Sequence, residues 1–238
     1  MTNTATEINS STGVSEAATP SVTNTDTAAT ASPPATITFA DFGLDPKIQK
    51  AVLEQGYNTP TPIQAQSIPH VLAGSDLMGA AQTGPGKTAA FVLPIIQKIL
   101  RHASNSASPA RHPIRALVLT PTRELAVQVA ENAANYSKHT DLRAAVVYGG
   151  VDMKEQVGIL RNGVEILIAT PGRLLDHIGS KVANLSQVEI LVLDEADRML
   201  DMGFEKDIQK IVSKITHPDR QTLMFSATWP KEVKALAR

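Results

Sequence analysis

The sequence predicts an α/β fold in which a mostly parallel β-sheet carries helices on both faces. Two patterns indicate this fold. Between residues 76 and 226, short apolar runs alternate with segments of helical periodicity, which is typical of strands joined by crossover helices. Several of these runs are apolar at consecutive positions, as expected for strands that are covered on both faces. Ligands bind such sheets at the carboxyl ends of the strands.

The individual elements follow from the same two patterns. Apolar runs predict strands at Asp76–Ala80, Ala116–Thr120, Ala144–Tyr148, Val164–Thr170, Ile190–Leu193 and Thr222–Ser226. Apolar residues at helical spacing predict helices at Pro46–Gln55, Gln64–Leu72, Lys87–His102, Glu124–Lys138, Lys154–Arg161, Leu174–Ile178 and Ile208–Ile215. The glycine at position 56 provides a stop for the first helix.

The composition limits the chemistry that is open to the chain. Its 238 residues suggest one large domain or at most two small ones. It contains no cysteine, which excludes disulfides, thiolate zinc sites and cysteine nucleophiles. No apolar stretch approaches the roughly 20 residues of a membrane-spanning helix, and the N-terminus lacks the features of a secretion signal. We therefore expect a cytoplasmic protein that does not bind membranes.

The charge is divided unevenly between two predicted regions. Residues 1–36 contain three acidic and no basic residues and are rich in Thr, Ala, Ser and Pro. Such a segment buries too little apolar surface to offset its ordering entropy, so we expect a disordered tail. Residues 37–238, the predicted globular domain, contain 22 basic and 20 acidic residues. This balance does not by itself indicate a nucleic-acid-binding protein, so such a function must be argued from local motifs.

The strongest local signal is a glycine-rich loop between a predicted strand and a predicted helix. It fits the phosphate-loop pattern G-x-x-x-x-G-K-[ST], with Ala81 in place of the first glycine. In such a loop, backbone N–H groups surround the phosphates, Lys87 reaches the β- and γ-phosphates, and the Thr88 hydroxyl binds Mg²⁺. A plain glycine-rich turn is the alternative, which the lysine, the threonine and the context disfavour together. The residues predicted to bind nucleotide here are Ala81, Gln82, Thr83, Gly84, Pro85, Gly86, Lys87 and Thr88.

A pair of carboxylates at the end of a buried strand supplies the second half of a nucleotide-hydrolysis site. Asp194 and Glu195 follow the apolar run Ile190–Leu193. Asp194 would hold Mg²⁺ through its water shell, and Glu195 would orient and polarise the attacking water. Alone, such a pair is often only the acidic start of a helix. Together with the phosphate loop, it favours hydrolysis.

With the run Asp-Glu-Ala-Asp at 194–197, the sequence resembles the DEAD-box ATP-dependent RNA helicases, which are named after this motif. Companion motifs of the family occur in the same order over residues 37–238, namely Phe39 with Gly56–Gln64, Pro121–Ala126, Gly149–Gly150, Thr170–Arg173 and Ser226–Thr228. The overall sequence, including residues 78–83, is most similar to that of the bacterial RhlE-type branch. The resemblance implies a RecA-like P-loop NTPase domain.

The resemblance also implies how ATP is bound. Gln64 would pair with the adenine edge, and Phe39 and Tyr57 would pack about the base. A glutamine amide can both accept a hydrogen bond from N6 and donate one to N7, which selects adenine over guanine. The implied catalytic residues are Lys87, Asp194 and Glu195, and the implied ligands of the Mg²⁺ cofactor are Thr88 and Asp194.

The remaining motifs imply RNA binding and its coupling to hydrolysis. Ser226 and Thr228 would hydrogen-bond Asp197 and so couple hydrolysis to strand separation. Glycines and helix N-termini would contact the RNA backbone with little sequence specificity. Taken singly, each loop also reads as a structural turn. The implied RNA-contacting residues are Pro121, Thr122, Arg123, Gly149, Gly150, Thr170, Pro171, Gly172 and Arg173.

Two features depart from the family pattern. Position 85 is proline, where the family usually has Ser, Thr or Ala, and proline lacks the N–H that could bind a phosphate. The chain stops at Arg238, before the second RecA-like domain that carries the arginine finger in the family. We expect that domain to be absent, so that this chain, a monomer, would not unwind RNA alone.

Three functions therefore remain to be compared. The first is the ATP-binding domain of an RNA helicase, which hydrolyses ATP when it is joined to its second RecA-like domain. The second is a nucleotide- and RNA-binding module without significant turnover. A DNA-directed helicase or another P-loop ATPase is the third, and the adenine-reading Gln64 and the Asp-Glu-Ala-Asp run disfavour it.

Overall fold

A computed structural model of the chain describes residues 6–9, 36–81 and 84–236. The strands in these ranges are β1 Thr6–Asn9, β2 Leu77–Ala80, β3 Ala116–Leu119, β4 Ala144–Val147, β5 Ile166–Ala169, β6 Ile190–Leu193 and β7 Gln221–Ser226. The α-helices are α1 Pro46–Glu54, α2 Pro62–Leu72, α3 Pro85–Ile99, α4 Arg123–Ser137, α5 Met153–Asn162, α6 Pro171–Gly179, α7 Ala196–Asp201, α8 Glu205–Ser213 and α9 Lys231–Ala235. Short 3-10 helices lie at Phe39–Phe42, Leu100–His102 and Pro109–Arg111.

The strands in the described ranges form one seven-stranded sheet with the order β1-β2-β7-β6-β3-β5-β4. Every neighbouring pair in the sheet is parallel, so the predicted α/β fold is confirmed. The carboxyl ends of all strands consequently lie along one edge. The segments after β2, β7 and β6 are neighbours on one half of this edge, and those after β3, β5 and β4 are neighbours on the other half.

Alternate side chains of each central strand enter two separate hydrophobic cores. In β3, Ala116 and Val118 belong to one core, whereas Leu117 and Leu119 belong to the other. The first core also contains buried residues of α1–α4, and the second contains those of α5–α9. All four residues of β3 are buried, because helices cover both faces of the sheet. The consecutive apolar runs in the sequence result from this double burial.

The predicted strands and helices are present, with ends that differ by up to three residues. The short helix α7 is not among the predicted helical segments; it begins inside the Asp-Glu-Ala-Asp run, where the sequence pattern indicates a functional site. None of the helices in the described part of the chain is long and apolar enough to cross a bilayer.

The prediction of a disordered tail over 1–36 does not hold for Thr6–Asn9. These residues pair with β2 as a parallel edge strand, and Ile8 is 8% exposed in the first core. The open edge of β2 supplies partners for the N–H and C=O groups of the segment, which the composition of a polar tail does not reveal. Residues 1–5 and 10–35 lie outside the described ranges.

Candidate functional site

Strand order brings three predicted motifs together at one half of the carboxyl edge. The phosphate loop follows β2, Ser226 ends β7, and Asp194 follows β6. Because β7 lies between β2 and β6, it links the other two, and the Ala81 N–H donates to the Ser226 carbonyl at 3.2 Å. Lys87 and Asp194, two of the predicted catalytic residues, therefore meet, although they are more than 100 positions apart in the sequence.

The phosphate loop leads directly into the N-terminus of the 15-residue helix α3. Gly84 caps this helix and Pro85 is its first residue, a position at which a backbone N–H has no partner within a helix. Gly86 lies against the residue that caps α2, since a Cβ atom there would be 3.1 Å from the Thr61 hydroxyl. Gln82 and Thr83 lie outside the described residues. The α3 N-terminus is of the kind that binds anions.

Lys87 forms a buried cluster with the two carboxylates after β6. Its Nζ lies 2.7 Å from Asp194 Oδ1 and 3.6 Å from Glu195 Oε1. Lys87 is 5% exposed and Asp194 is 1% exposed. Burial raises the pKa of Asp194 above its ordinary value, and the Lys87 charge partly opposes this rise. In this arrangement, the ammonium group compensates a carboxylate that water does not solvate.

Glu195 holds its carboxylate on a strained backbone. Its φ and ψ are both 53°, in the left-handed region, which costs a residue other than glycine about 1–2 kcal/mol. The residue stands directly before α7, and its carbonyl accepts from the Met199 N–H at 3.1 Å. Arg198 Nη1 lies 3.5 Å from the Glu195 carboxylate. Such strain is concentrated at functional sites, where the surrounding structure maintains it.

A cavity of about 420 Å³ opens next to this cluster. Gly84, Lys87, Thr88 and Asp194 line it together with α4 residues that were not predicted to belong to the nucleotide site, namely Leu125, Gln128, Val129, Glu131 and Asn132. Its volume is in the range of pockets for small molecules.

The residues predicted to hold Mg²⁺ fit that ion. Thr88 and Asp194 both line the cavity, and hydroxyl and carboxylate oxygens are the donors that Mg²⁺ prefers. The described residues contain no group of three or more His, Asp or Glu side chains that could hold a metal by itself. A magnesium ion here would therefore depend on water and on the phosphates of a nucleotide for its other ligands.

The predicted adenine-reading residues differ in exposure. Gln64 is 4% exposed; its Oε1 accepts from the Thr61 N–H and its Nε2 donates to the Gly86 carbonyl, both at 3.0 Å. One N–H and one lone pair of the amide remain for a ligand. Phe39 is buried in the first core, whereas Tyr57 is 43% exposed. The Gln64 side chain thus joins α2 to the phosphate loop.

The three residues predicted to couple hydrolysis to strand separation are in contact. Thr228 donates to Asp197 Oδ2 from its N–H at 3.2 Å and from its hydroxyl at 3.0 Å. The Ser226 hydroxyl accepts from the Asp197 N–H at 3.2 Å and donates to the Thr228 carbonyl at 2.7 Å. Burial alone would raise the pKa of Asp197, but these hydrogen bonds outweigh it and lower the pKa. They tie the start of α7 to the segment after β7.

The predicted RNA-contacting loops occupy the other half of the carboxyl edge. They follow β3, β4 and β5. Thr122 caps α4 through a 3.3 Å hydrogen bond from the Leu125 N–H, and Pro171 is the first residue of α6. Gly149 and Gly150 are exposed. The members of this set are Pro121, Thr122, Arg123, Gly149, Gly150, Thr170, Pro171, Gly172 and Arg173.

The two arginines of this set are placed differently. Arg123 is exposed, and its guanidinium carbon lies 4.8 Å from the centre of the Tyr148 ring. The Arg173 side chain is only 11% exposed. It donates to the Val151 carbonyl at 2.9 Å and to Gln156 Oε1 at 3.2 Å. Gln156 was not predicted to belong to the site, because a single glutamine on an amphipathic helix carries no recognisable sequence signal.

Comparison with known proteins agrees with this geometry. Residues 61–236 match the family described as DEAD/DEAH box helicase. DEAD-box ATP-dependent RNA helicase 20 of Oryza sativa subsp. japonica is 52% identical over 200 residues, which cover 84% of this chain and 40% of that protein. ATP-dependent RNA helicase dbp2 of Schizosaccharomyces pombe is 52% identical over 84% of this chain and 36% of its own length. DEAD-box ATP-dependent RNA helicase 30 of Arabidopsis thaliana is 50% identical, with shares of 84% and 33%.

These comparisons bear on the share of the relatives that the chain covers, on the branch of the family and on the predicted adenine-reading residues. The chain spans two fifths or less of the length of these relatives. The relatives are eukaryotic and therefore do not support a specific likeness to the bacterial RhlE-type branch. The matched range contains Gln64 but neither Phe39 nor Tyr57.

Replacement of Lys87 by methionine tests the buried ion pair. Lys87→Met leaves Asp194 buried without its cation, and we expect the free energy of unfolding at pH 7 to fall by about 3–5 kcal/mol. The defect should shrink on acidification. Because burial raises the folded-state pKa of Asp194, the contribution of this carboxyl to stability is fully present below its unfolded-state pKa and is lost as pH rises through its folded-state pKa. Urea unfolding over a pH series measures this.

The double variant Lys87→Met/Asp194→Asn is the control for that experiment. It lacks the carboxylate that Lys87→Met leaves unpaired, so it should be more stable than the single variant at pH 7 and should lose the corresponding part of the pH dependence. Equal stability of the single and double variants at pH 7 would show that the Asp194 carboxylate carries no cost when Lys87 is absent, which contradicts the prediction.

Proposed function

The chain belongs to the DEAD/DEAH box helicase family, and we propose that it is the ATP- and RNA-binding part of an ATP-dependent RNA helicase. One observation supports this most directly. The Lys87–Asp194–Glu195 cluster lies beside the N-terminus of α3, on the sheet edge that also carries Arg123 and the exposed glycines after β4. In the proposed activity, ATP is hydrolysed at the half of this edge formed by the segments after β2, β7 and β6. Hydrolysis there drives remodelling of RNA duplexes at the half formed by the segments after β3, β5 and β4.

The buried cluster suits ATP hydrolysis because each of its groups has a second use. Lys87 would exchange the Asp194 carboxylate for the β- and γ-phosphates, which carry more negative charge. Asp194, released from Lys87, would hold Mg²⁺ with Thr88. A bound Mg²⁺ would neutralise charge that develops on the phosphates. Glu195 would orient the attacking water and accept its proton.

The other half of the edge suits an RNA backbone more than RNA bases. The N-termini of α4 and α6 present N–H groups, and Arg123 adds an exposed charge. Contacts of this kind fix position without reading sequence. They would also explain RNA binding by a domain whose charges nearly balance. The second RecA-like domain of the whole protein is the proposed partner that completes the RNA path and supplies the arginine finger.

The contacts around Asp197 support a route from hydrolysis to RNA. Asp197 lies two positions after Glu195 and accepts two hydrogen bonds from Thr228. A change at Glu195 during hydrolysis would therefore shift the exposed segment that follows β7. The proposed result is a change in how that segment meets the second RecA-like domain.

RNA-stimulated ATP hydrolysis tests the proposed activity. We expect the chain to bind Mg-ATP and single-stranded RNA but to turn over ATP very weakly alone, and to hydrolyse ATP faster in the presence of RNA when it is joined to its second RecA-like domain, while Glu195→Gln in the joined protein binds both ligands without turnover. A phosphate-release assay with and without RNA measures the rates. Binding of both ligands without hydrolysis by the joined protein would favour the alternative, a nucleotide- and RNA-binding module without significant turnover. Failure to bind either ligand would contradict the proposal.

Adenine selectivity should depend on Gln64. Gln64→Ala removes the amide that pairs with adenine, so the ratio of the Kd values for Mg-GDP and Mg-ADP should fall toward one. The ratio of the two Kd values is compared, rather than either Kd alone, because loss of the Gln64–Gly86 hydrogen bond would weaken the binding of both nucleotides. Gln66→Ala, at an exposed position of the same helix, is the matched control and should keep the ratio of the unmodified chain. An unchanged ratio in Gln64→Ala would remove Gln64 from the base-reading role.

The proline in the phosphate loop should weaken nucleotide binding. Pro85 occupies the first position of α3, where the N–H of any other residue would be free to meet a phosphate. A hydrogen bond to a charged acceptor contributes about 1.5–3 kcal/mol, so Pro85→Ser should bind Mg-ADP at least about tenfold more tightly. Calorimetric titration of both forms measures this, with Pro85→Ala as the control that restores the N–H without a hydroxyl. Equal Kd values for all three would refute the missing donor.

A further inference from the structure

Gln156 connects two of the three predicted RNA-contacting loops. It is 6% exposed on α5. Its Nε2 donates to the Tyr148 carbonyl at 3.0 Å, next to the two exposed glycines. Its Oε1 accepts from Arg173 Nη1 at 3.2 Å and lies 2.9 Å from His177 Nε2, so the same amide holds the start of α6.

The hydrogen-bond inventory fixes the orientation of this amide. A carbonyl only accepts and a guanidinium only donates, so the Gln156 nitrogen must face Tyr148 and its oxygen must face Arg173. His177 must then donate from Nε2. Burial, helped by the charge of Arg173, lowers the pKa of His177 and so favours its neutral form. Its Nδ1 is buried without a partner among the described residues, as suits a nitrogen that carries no proton.

The glycine loop is held at both of its ends. Gln156 binds the carbonyl of Tyr148, immediately before Gly149, and Arg173 binds the carbonyl of Val151, immediately after Gly150. Gly150 has a φ of +83°, a conformation that glycine adopts at little cost. Neither glycine has a side chain that could fix the loop. Its shape therefore depends on the two flanking hydrogen bonds.

The third loop joins this network through an aromatic ring. The Arg123 guanidinium stacks over the Tyr148 ring at 4.8 Å, and the Tyr148 carbonyl is the one that Gln156 binds. Arg123 begins α4 directly after Pro121 and Thr122. A shift of Tyr148 would consequently move the surface on which Arg123 rests.

We infer that Gln156 is a positioning residue that sets the glycine loop and the start of α6 in one fixed arrangement, with Arg173 as its partner inside the protein. The inference rests on the proposed RNA-binding function and goes beyond it. Gln156 does not touch RNA in this role. It determines whether the backbone N–H groups of these loops and Arg123 can contact successive phosphates at the same time. A loop that is already held in place loses little conformational entropy when RNA binds.

Gln156→Glu removes one link and keeps the others. A carboxylate still accepts from Arg173 and His177 but has no N–H for the Tyr148 carbonyl. The amide resonances of Gly149 and Gly150 should shift in two-dimensional NMR spectra. The Kd for a fluorescent single-stranded RNA should rise about tenfold, as expected when the displaced loop loses one hydrogen bond from a backbone N–H to a charged phosphate. The Kd for Mg-ADP should not change. Gln209→Glu, at an exposed site on α8, introduces the same charge and should change neither the resonances nor either Kd.

Arg173→Lys separates positioning from direct contact with phosphate. Lysine keeps the positive charge but cannot donate in two fixed directions to Val151 and Gln156. It should weaken RNA binding as Gln156→Glu does, and the double variant should be no weaker than either single variant because both act through one network. Retained affinity in Arg173→Lys would instead indicate a direct charge contact.

Two results would overturn the inference. One is an unchanged pair of glycine resonances in Gln156→Glu, which can be measured even if the variant is less stable or the chain binds no RNA. The other is shifted resonances with RNA affinity unchanged from that of the parent chain. Absence of RNA binding by the parent chain itself would count against the proposed function instead, while shifted glycine resonances would still support the loop-positioning role.

Discussion

A buried positive charge between two carboxylates is the interaction on which the candidate site depends. Lys87, Asp194 and Glu195 are each less than a tenth exposed. Removal of such charges from water costs several kcal/mol per ion, which only close and well-placed partners offset. The pair forms because β7 sets β2 and β6 two strands apart with their carboxyl ends on the same edge. The sheet order is therefore the structural condition for the charge cluster.

The same cluster explains why the site can respond to a ligand. Without a ligand, the charges of Lys87 and Asp194 compensate each other inside the folded protein. A phosphate with bound metal would separate the pair, because the phosphate attracts Lys87 and the metal ion attracts Asp194. The strained Glu195 backbone and the hydrogen-bonded Asp197 stand on either side of Ala196. A change in the charge cluster would therefore occur close to the segment after β7. This segment runs from the half of the sheet edge that is predicted to bind nucleotide to the protein surface.

Local patterns in the sequence predict what depends on burial, and they fail where long-range partners decide. The apolar runs of β3 and β6 predict central strands because both faces of each strand are covered. Thr6–Asn9 has a single branched aliphatic residue, Ile8, so only the open edge of β2 makes it a strand. Gln156 and His177 lie 21 positions apart, and nothing in either local sequence indicates that they meet. The left-handed backbone of Glu195 is likewise invisible in the motif that contains it.

The affinity for ADP without magnesium tests the central claim most directly. If Asp194 holds Lys87 until a metal ion takes the carboxylate, then in EDTA the variant Asp194→Asn, in which Lys87 has lost its nearer carboxylate, should bind ADP about tenfold more tightly than the unmodified chain. Added Mg²⁺ should remove this advantage. Glu131→Gln, which removes a carboxylate that lines the same cavity and leaves the ion pair intact, should behave as the unmodified chain does. Equal ADP affinities of the unmodified chain and Asp194→Asn in EDTA would contradict the account.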